Sequence, residues 1–381
     1  MNPNAPDLVR RLIGLYGDSY HEWLRERWRA RMEGSGSLLI FGAGQNGRFV
    51  LKHLRSAGLE PAAFVDETPD KLGQHIEGLP VISLDEAATR ADPLAIVSLF
   101  TPAHDYLTVS ARLRAAGIDT APLFAALWTL DADSMPFYFL APPKVILEAE
   151  NELTWLASRL LDTTSADVLL AHLEFRLALR FEALPMWNPR RLRAPAGSRR
   201  LGLVDAGAFD GDTLLPMLAN EGDRIAFAVG LEPDAKNFAA LSAKLRDAHP
   251  HRPEIRAIEA AVDEISRRRG FASLGHTGSG FDTDGAEVET LALDDLLTET
   301  PPDVDLYIKL DVEGAEAAAL QGARRTIAER LPFLSMAVYH HPADLWRLPQ
   351  MVHAIQEDYC FRLRSHGADG ADLMIYAERA R

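Results

Sequence analysis

With a single cysteine, Cys360, among 381 residues, the chain can form no internal disulfide and no cysteine-cluster metal site, and a reducing compartment suits it. Positive charge is also in short supply. Lys and Arg number 40 against 55 Asp and Glu, a formal net charge of -15, and such a surface repels a phosphate backbone, so nucleic acid is not an expected partner. A local basic patch could still hold a small anion. Long apolar runs are missing as well. The opening MNPNAPDLVRRLIGLYGDSY mixes charges into short apolar pieces, unlike a signal peptide. No later segment approaches the roughly 18 apolar residues of a membrane span, which makes the cytoplasm the expected compartment.

What is present is ordinary for a folded globular protein, with 47% apolar and 25% charged residues, in a chain long enough for two or three domains. Residues 5 to 33 carry Leu8, Leu12, Leu15, Trp23 and Leu24 at helical spacing up to a Gly34-Ser35-Gly36-Ser37 break, which predicts one leading amphipathic helix over 1–36. Short apolar runs at Leu38, at Ala62 to Val65 and at Leu94 to Leu99, with a helix pattern over Ala103 to Ala116, read as a βαβ series across 37–143. Leucines at helical spacing fill 144–200 without a strand signal, a helical connector that ends in a basic, Pro-containing stretch after Asn188. From 201 to 381 strands are predicted at Leu201 to Val204, Ala226 to Leu231, Ile255 to Ala261, Asp305 to Leu310 and Phe333 to Val338. The expected class is therefore α/β, with two doubly wound Rossmann-like sheets joined by helices.

A strand running into Asp205-Ala-Gly207-Ala-Phe209-Asp210-Gly211-Asp212-Thr213 brings two glycines and three carboxylates to the edge where open α/β sheets bind ligands. A pyrophosphate would require bare backbone N–H groups here. Acids suit a cation, such as a sulfonium carrying an ammonium group. Glu232, 27 positions after Asp205, ends the next strand, where an acid accepts both hydroxyls of a ribose. Later, Asp305-Leu-Tyr-Ile-Lys309-Leu-Asp311-Val-Glu313-Gly314-Ala-Glu316 delivers Asp311 and Glu313 to the same edge, with Glu316 in the first turn of a helix.

Over about residues 148 to 378 the chain resembles the FkbM family of methyltransferases. The matching features are the Asp205 to Gly211 loop, Glu232-Pro233 with Asn237-Phe238, Gly278-Ser279, Thr290-Leu-Ala-Leu-Asp294-Asp295, Ile308 to Glu316, and Tyr339-His340-His341 with Asp344-Leu-Trp346. The resemblance implies a class I methyltransferase fold over 201–381 and S-adenosylmethionine-dependent methylation of a hydroxyl on a small polar acceptor, a sugar or nucleotide sugar. Asp205, Gly207, Phe209, Asp210, Gly211 and Thr213 would then hold the methionine part, Glu232 the ribose, and Val262 and Ser279 the adenosine surroundings. Methyl transfer needs alignment and removal of the hydroxyl proton. Asp311, Glu313, His340 and His341 are the candidates, and Asp311 with Glu313 could instead hold magnesium through hard oxygen ligands.

In the first half, Gly42-Ala-Gly44-Gln-Asn-Gly47 after a strand, with Asp66 ending the next, fits a dinucleotide fingerprint. The continuation from Phe64 to Val81 resembles small Rossmann-like domains attached to sugar-modifying enzymes, which implies a nucleotide-sugar or regulatory domain at 37–143. The rival reading is a nicotinamide-dependent oxidoreductase or nucleotide sensor run by this half, and a homo-oligomer is left open.

Overall fold

The computed structural model describes residues 4–100, 105–130, 135, 137–188, 191, 200–272, 280–281 and 286–379. The single leading helix expected from the sequence is two helices, α1 (Ala5–Leu15) and α2 (Asp18–Glu33), because the chain turns at Gly17. The apolar stripe also lies elsewhere. Ala5, Val9, Ile13 and Tyr16 are buried while Leu8, Leu15 and Trp23 are exposed, since α1 packs on the connector helices and α2 on the last helix of the first α/β unit.

The first α/β unit runs β1 (Ser37–Phe41), α3 (Gln45–Ser56), β2 (Ala63–Val65), β3 (His75–Ile76), β4 (Leu79–Ile82), α4 (Leu84–Ala88), β5 (Pro93–Val97), α5 (Tyr106–Ala115), β6 (Asp119–Pro122) and α6 (Leu123–Leu130). Its strands are ordered β3-β4-β2-β1-β5-β6, parallel except for the β3 hairpin arm. The turn from β1 into α3 depends on Gly47, where a Cβ would lie 2.0 Å from the Gly42 carbonyl oxygen.

The connector is α7 (Pro143–Glu148), α8 (Glu150–Ser158) and α9 (Thr163–Ala178). Its Leu153, Leu156, Leu169 and Leu173 share one core with Val204, Ile308 and Leu334 of the second sheet. Asp162 begins α9. Its side chain accepts from the Ser165 N–H at 2.7 Å and from Arg364 at 2.7 Å.

The second unit follows as β7 (Arg200–Ala206), α10 (Leu214–Glu221), β8 (Ile225–Leu231), α11 (Ala235–Ala248), β9 (Ile255–Ile258), β10 (Ala261–Val262), β11 (Arg267–Ala272), β12 (Gly280–Phe281), β13 (Ala286–Leu291) and α12 (Leu293–Leu296). It continues with β14 (Val304–Leu310), α13 (Glu316–Gln321), α14 (Arg324–Arg330), β15 (Phe333–Ala337), α15 (Asp344–Ile355), β16 (Tyr359–Ser365) and β17 (Leu373–Arg379). The main sheet is ordered β16-β17-β15-β14-β7-β8-β9, and only β17 runs antiparallel to its neighbours. The single strand expected over Ile255 to Ala261 is broken: β9 ends at Ile258, and β10 pairs with β13 in a separate small sheet. No helix among the described residues is long and apolar enough to cross a membrane.

Asp162 joins a helix cap to a bridge onto β16, so Asp162→Ala is expected to cost about 1–2 kcal/mol, the upper range for a lost cap. Asp162→Asn, which keeps the cap, should recover part of that loss in the urea midpoint. The Arg364 guanidinium and the Ser165 bonds outweigh burial and hold the Asp162 carboxyl well below its usual range. The stability it contributes is therefore present above the ordinary carboxylate pKa and is lost as the pH falls.

Candidate active site

The site is built where β7 and β14, paired side by side, end together. Lys309 lies opposite Asp205 in the register, and its ammonium donates to Asp205 Oδ1 at 2.9 Å and to the Gly207 carbonyl at 3.1 Å, with Asp311 Oδ2 at 3.6 Å. Burial alone would depress the Lys309 pKa, but Asp205 and Asp311 more than offset it and hold the ammonium charged. Gly207 turns the chain with φ +77°, where a Cβ would sit 1.8 Å from the Asp311 carbonyl oxygen, so only glycine permits this approach of the two loops.

A cavity of about 640 Å³ opens above this edge. On one side its wall is Gly207, Phe209 and Thr213 from the loop after β7, Glu232 from the end of β8, and Val262 from the end of β10. Glu232 accepts from the Phe209 N–H at 2.9 Å and the Asp234 N–H at 3.0 Å, which ties the two strand ends together. Burial raises its pKa, partly offset by these bonds. The Asn237 side chain also hydrogen-bonds it, so of the roughly four acceptor positions of a carboxylate about one remains for a ligand.

At the other end of the same cavity stand Asp311, Glu313, Tyr339 and His341. Tyr339 donates to Asp311 Oδ1 at 3.1 Å. Burial would raise the Asp311 pKa, yet Lys309, His340 and Arg191 hold it below the usual value. Glu313, in a left-handed backbone at φ 52°, has the opposite balance. Burial, with Asp311 and Glu316 close by, pushes it up to about 7. His341 lies against Gly314, where a Cβ would meet its Nε2 at 2.6 Å. His340 lies behind this wall. Its Nδ1 is 2.8 Å from Glu316 Oε1 and its Nε2 3.5 Å from Glu313. Burial opposes its charge, but Glu316 and Asp311 raise its pKa to about 9.

Among the described residues, Asp311, Glu316 and His340 can bring ligand atoms within 4.8 Å of one another. The magnesium pair expected from the sequence, Asp311 with Glu313, is not this group. A mixed nitrogen and oxygen donor set beside the Lys309 ammonium does not fit a hard cation that prefers oxygen ligands.

Of the expected cofactor residues, Asp205 lies one layer behind the wall, gripping Lys309. Asp210 and Gly211 also stand outside the wall. As the chain enters α10, Asp210 turns out to pair with Lys244 at 2.6 Å, and Gly211 packs beneath Leu215 and Leu241. Ser279 falls outside the described residues.

In the first unit, Gly42, Gly44 and Gly47 shape the β1–α3 turn, and Asp66 reaches it. Its carboxylate, however, takes the Ala43 N–H at 2.8 Å, the Thr68 N–H at 2.9 Å and the Lys71 ammonium at 3.0 Å. Three of its acceptor positions are thus filled from within, and these residues lie away from the cavity.

Several wall residues escaped sequence reasoning: Phe100, Tyr138, Arg191, Arg269 and Asp372. Phe100 alone left a signal, since it follows an apolar strand at the edge where parallel sheets bind ligands. Arg191 sat in the stretch read as a flexible boundary, yet it pairs with Asp372 at 2.7 Å.

The seven-strand order with one antiparallel strand, and a loop-and-acid cavity at its carboxyl edge, defines a class I methyltransferase fold. Residues 205–363 match the family model "Methyltransferase FkbM domain" and residues 34–127 match "CoA binding domain". Residues 205–363 are thus similar to an FkbM methyltransferase domain and follow a Rossmann-like sheet. It is similar to the crystal structure of methyltransferase FkbM from Methylobacillus flagellatus KT, at 24% identity and TM-score 0.75, over 98% of this chain and 100% of that one. A putative rRNA-methylase from Clostridium thermocellum aligns at 13% identity and TM-score 0.30 over 47% of this chain and 87% of that one. A SAH-bound methyltransferase from Podospora anserina aligns at 12% identity and TM-score 0.26, over 61% and 87%. No curated protein matches the sequence.

The His340 pKa of about 9 lies above the 6.5 of a free histidine. Its contribution to stability is therefore complete below pH 6.5 and is lost as the pH rises through 9. The melting temperature of the wild type should fall across this window more steeply than that of His340→Gln. Parallel curves for the two proteins would refute the assignment.

Proposed function

We propose that the chain is an S-adenosylmethionine-dependent O-methyltransferase acting on a hydroxyl of a small polar acceptor, a sugar or nucleotide sugar. The division of labour would be a helical start at 1–36, a Rossmann-like domain at 37–143, a helical connector at 144–200 and the methyltransferase domain at 201–381. One observation carries the reading: a single cavity joins the Gly207–Thr213 loop and Glu232 to a carboxylate, Glu313, whose pKa is about 7.

The residues present suit the cofactor. Asp205 Oδ2 is buried without a partner among the described residues, and the wall is rich in acids, with Asp212, Glu232, Asp311 and Glu313 among them. When bound, S-adenosylmethionine supplies an electrophilic methyl group on a sulfonium. Phe209 and Thr213 would line its methionine part, Glu232 would accept from its ribose, and Val262 would flank its adenine.

For the acceptor, the protein must orient one hydroxyl oxygen and take its proton. Glu313 suits the second task, because a general base works best with a pKa near the operating pH. Asp311, held as a carboxylate by Lys309 and Tyr339, is better suited to accepting a hydrogen bond from a neighbouring hydroxyl. The His340–Glu316 pair behind them keeps a positive charge near both carboxylates. His341, on the cavity wall beside Gly314, is the second group able to receive the proton.

Calorimetry should give saturable S-adenosylmethionine binding that Glu232→Gln weakens at least about tenfold, consistent with the loss of one charge-assisted hydrogen bond. No binding by the wild type, with NADH binding instead, would move the function to the first unit. With a methyl-accepting sugar, Glu313→Gln should lower kcat by about 10²–10⁴ and remove the rise in rate centred near pH 7.

A further inference from the structure

The cavity is not closed by the methyltransferase sheet alone. Phe100, three residues beyond β5, and Tyr138, just before the connector, belong to the chain of the first unit, and both line it. Their rings are 5.4 Å apart, centroid to centroid. Phe100 is backed edge-on by Phe124 at 5.4 Å and by Phe137 at 5.8 Å, so its position is set by a packed aromatic cluster. Tyr138 is 36% exposed and adopts a left-handed backbone at φ 52°. A non-glycine residue holds that conformation only where its surroundings over-determine it, and such strain gathers at ligand sites. The Tyr138 hydroxyl lies near enough to Glu313 for the carboxylate to help raise its pKa, after burial.

The rest of the chain brings a different chemistry to the same cavity. Glu313 and Asp372 present carboxylates, and Arg191 is paired to Asp372 at 2.7 Å. Aromatic rings and planar charged groups lining one cavity fit a molecule with an apolar C–H face on one side and several hydroxyls on the other. The rings take the C–H face, and the charged groups take the hydroxyls in strong, oriented bonds. The first unit's own fingerprint contributes little to ligand binding, because Asp66 is occupied by Ala43, Thr68 and Lys71.

We propose that Phe100 and Tyr138 form one wall of the acceptor subsite, and that a hexopyranoside lies between them and the Glu313 and Asp372 carboxylates. This inference rests on the methyl-transfer reading and deepens it. The Rossmann-like unit serves as half of the acceptor site through its sheet edge, and its glycine fingerprint is structural. Phe100 and Tyr138 thereby become the residues that select the acceptor.

The test uses the full chain saturated with S-adenosylhomocysteine. It measures binding of UDP-glucose, UDP-galactose, methyl α-glucopyranoside and methyl β-galactopyranoside by saturation-transfer NMR and calorimetry. At least one of these sugars should bind the wild type with saturation concentrated on its ring C–H protons. Phe100→Leu and Tyr138→Ala should each weaken that sugar at least tenfold while S-adenosylhomocysteine affinity stays within twofold. The exposed Tyr138 makes its variant a safe second probe should Phe100→Leu disturb the cluster. Asp66→Asn should leave sugar binding unchanged. The proposal is overturned if no sugar in the panel binds the loaded wild type, if both aromatic variants bind it normally, or if Asp66→Asn abolishes it. Failure of the wild type to bind S-adenosylhomocysteine would instead remove the methyltransferase reading on which the proposal stands.

Discussion

The structure of the site depends on one buried ion pair. Lys309 and Asp205 face each other from neighbouring parallel strands, both almost wholly out of solvent, and the same ammonium reaches the Gly207 carbonyl and approaches Asp311. Removing one member of such a pair costs about 3–5 kcal/mol because the other is left charged and buried. The pair fixes the two loops that form opposite ends of the cavity, the glycine loop after β7 and the carboxylate loop after β14. It also sets the difference between the two carboxylates of the second loop. Asp311 is near the ammonium and stays ionised, whereas Glu313, farther along, keeps a pKa near neutrality.

The parallel strands were legible in the sequence wherever they are short, apolar and buried on both faces, as in β1, β5, β7, β8, β14 and β15. Their ends were legible too, because acids and glycines mark them. What escaped was mostly short or polar: β3 and β4 have two and four residues, β10 has two, β11 opens on three arginines and β16 alternates apolar with polar residues, so the continuous apolar run that marks the other strands is missing. The leading helix was misread for a different reason: Leu8 and Leu15 are as apolar as Val9 and Ile13, and only the partner surface decides which face is covered. Asp210 looked like a ligand residue because it shares a loop with Gly207, yet a turn of the chain points it at Lys244.

The two sheets use one device for two ends. In each, an acid closing the second strand reaches back to a backbone N–H of the glycine loop after the first: Asp66 to Ala43, and Glu232 to Phe209. In the first sheet Lys71 completes the pairing, so the loop is locked by its own neighbours. In the second no cation approaches Glu232 among the described contacts; the neutral Asn237 side chain bonds it instead, and Glu232 lines the cavity. The same strand-end geometry therefore carries a charge-paired acid away from the cavity in one unit and an acid without a paired cation on the cavity wall in the other.

The split of the leading segment between two cores affects the order in which the protein can be assembled. Helix α2 finds its partner as soon as β1 to α6 exist, and a unit made first on the ribosome folds first. Helix α1, made earlier still, buries Val9 and Ile13 only against α8 and α9 and the core they share with the second sheet, whose last strand ends at Arg379. A helix made before the whole first unit is thus among the last to be covered. Until then it is a short amphipathic segment with an open apolar face, tethered at Gly17 to a unit that has already folded.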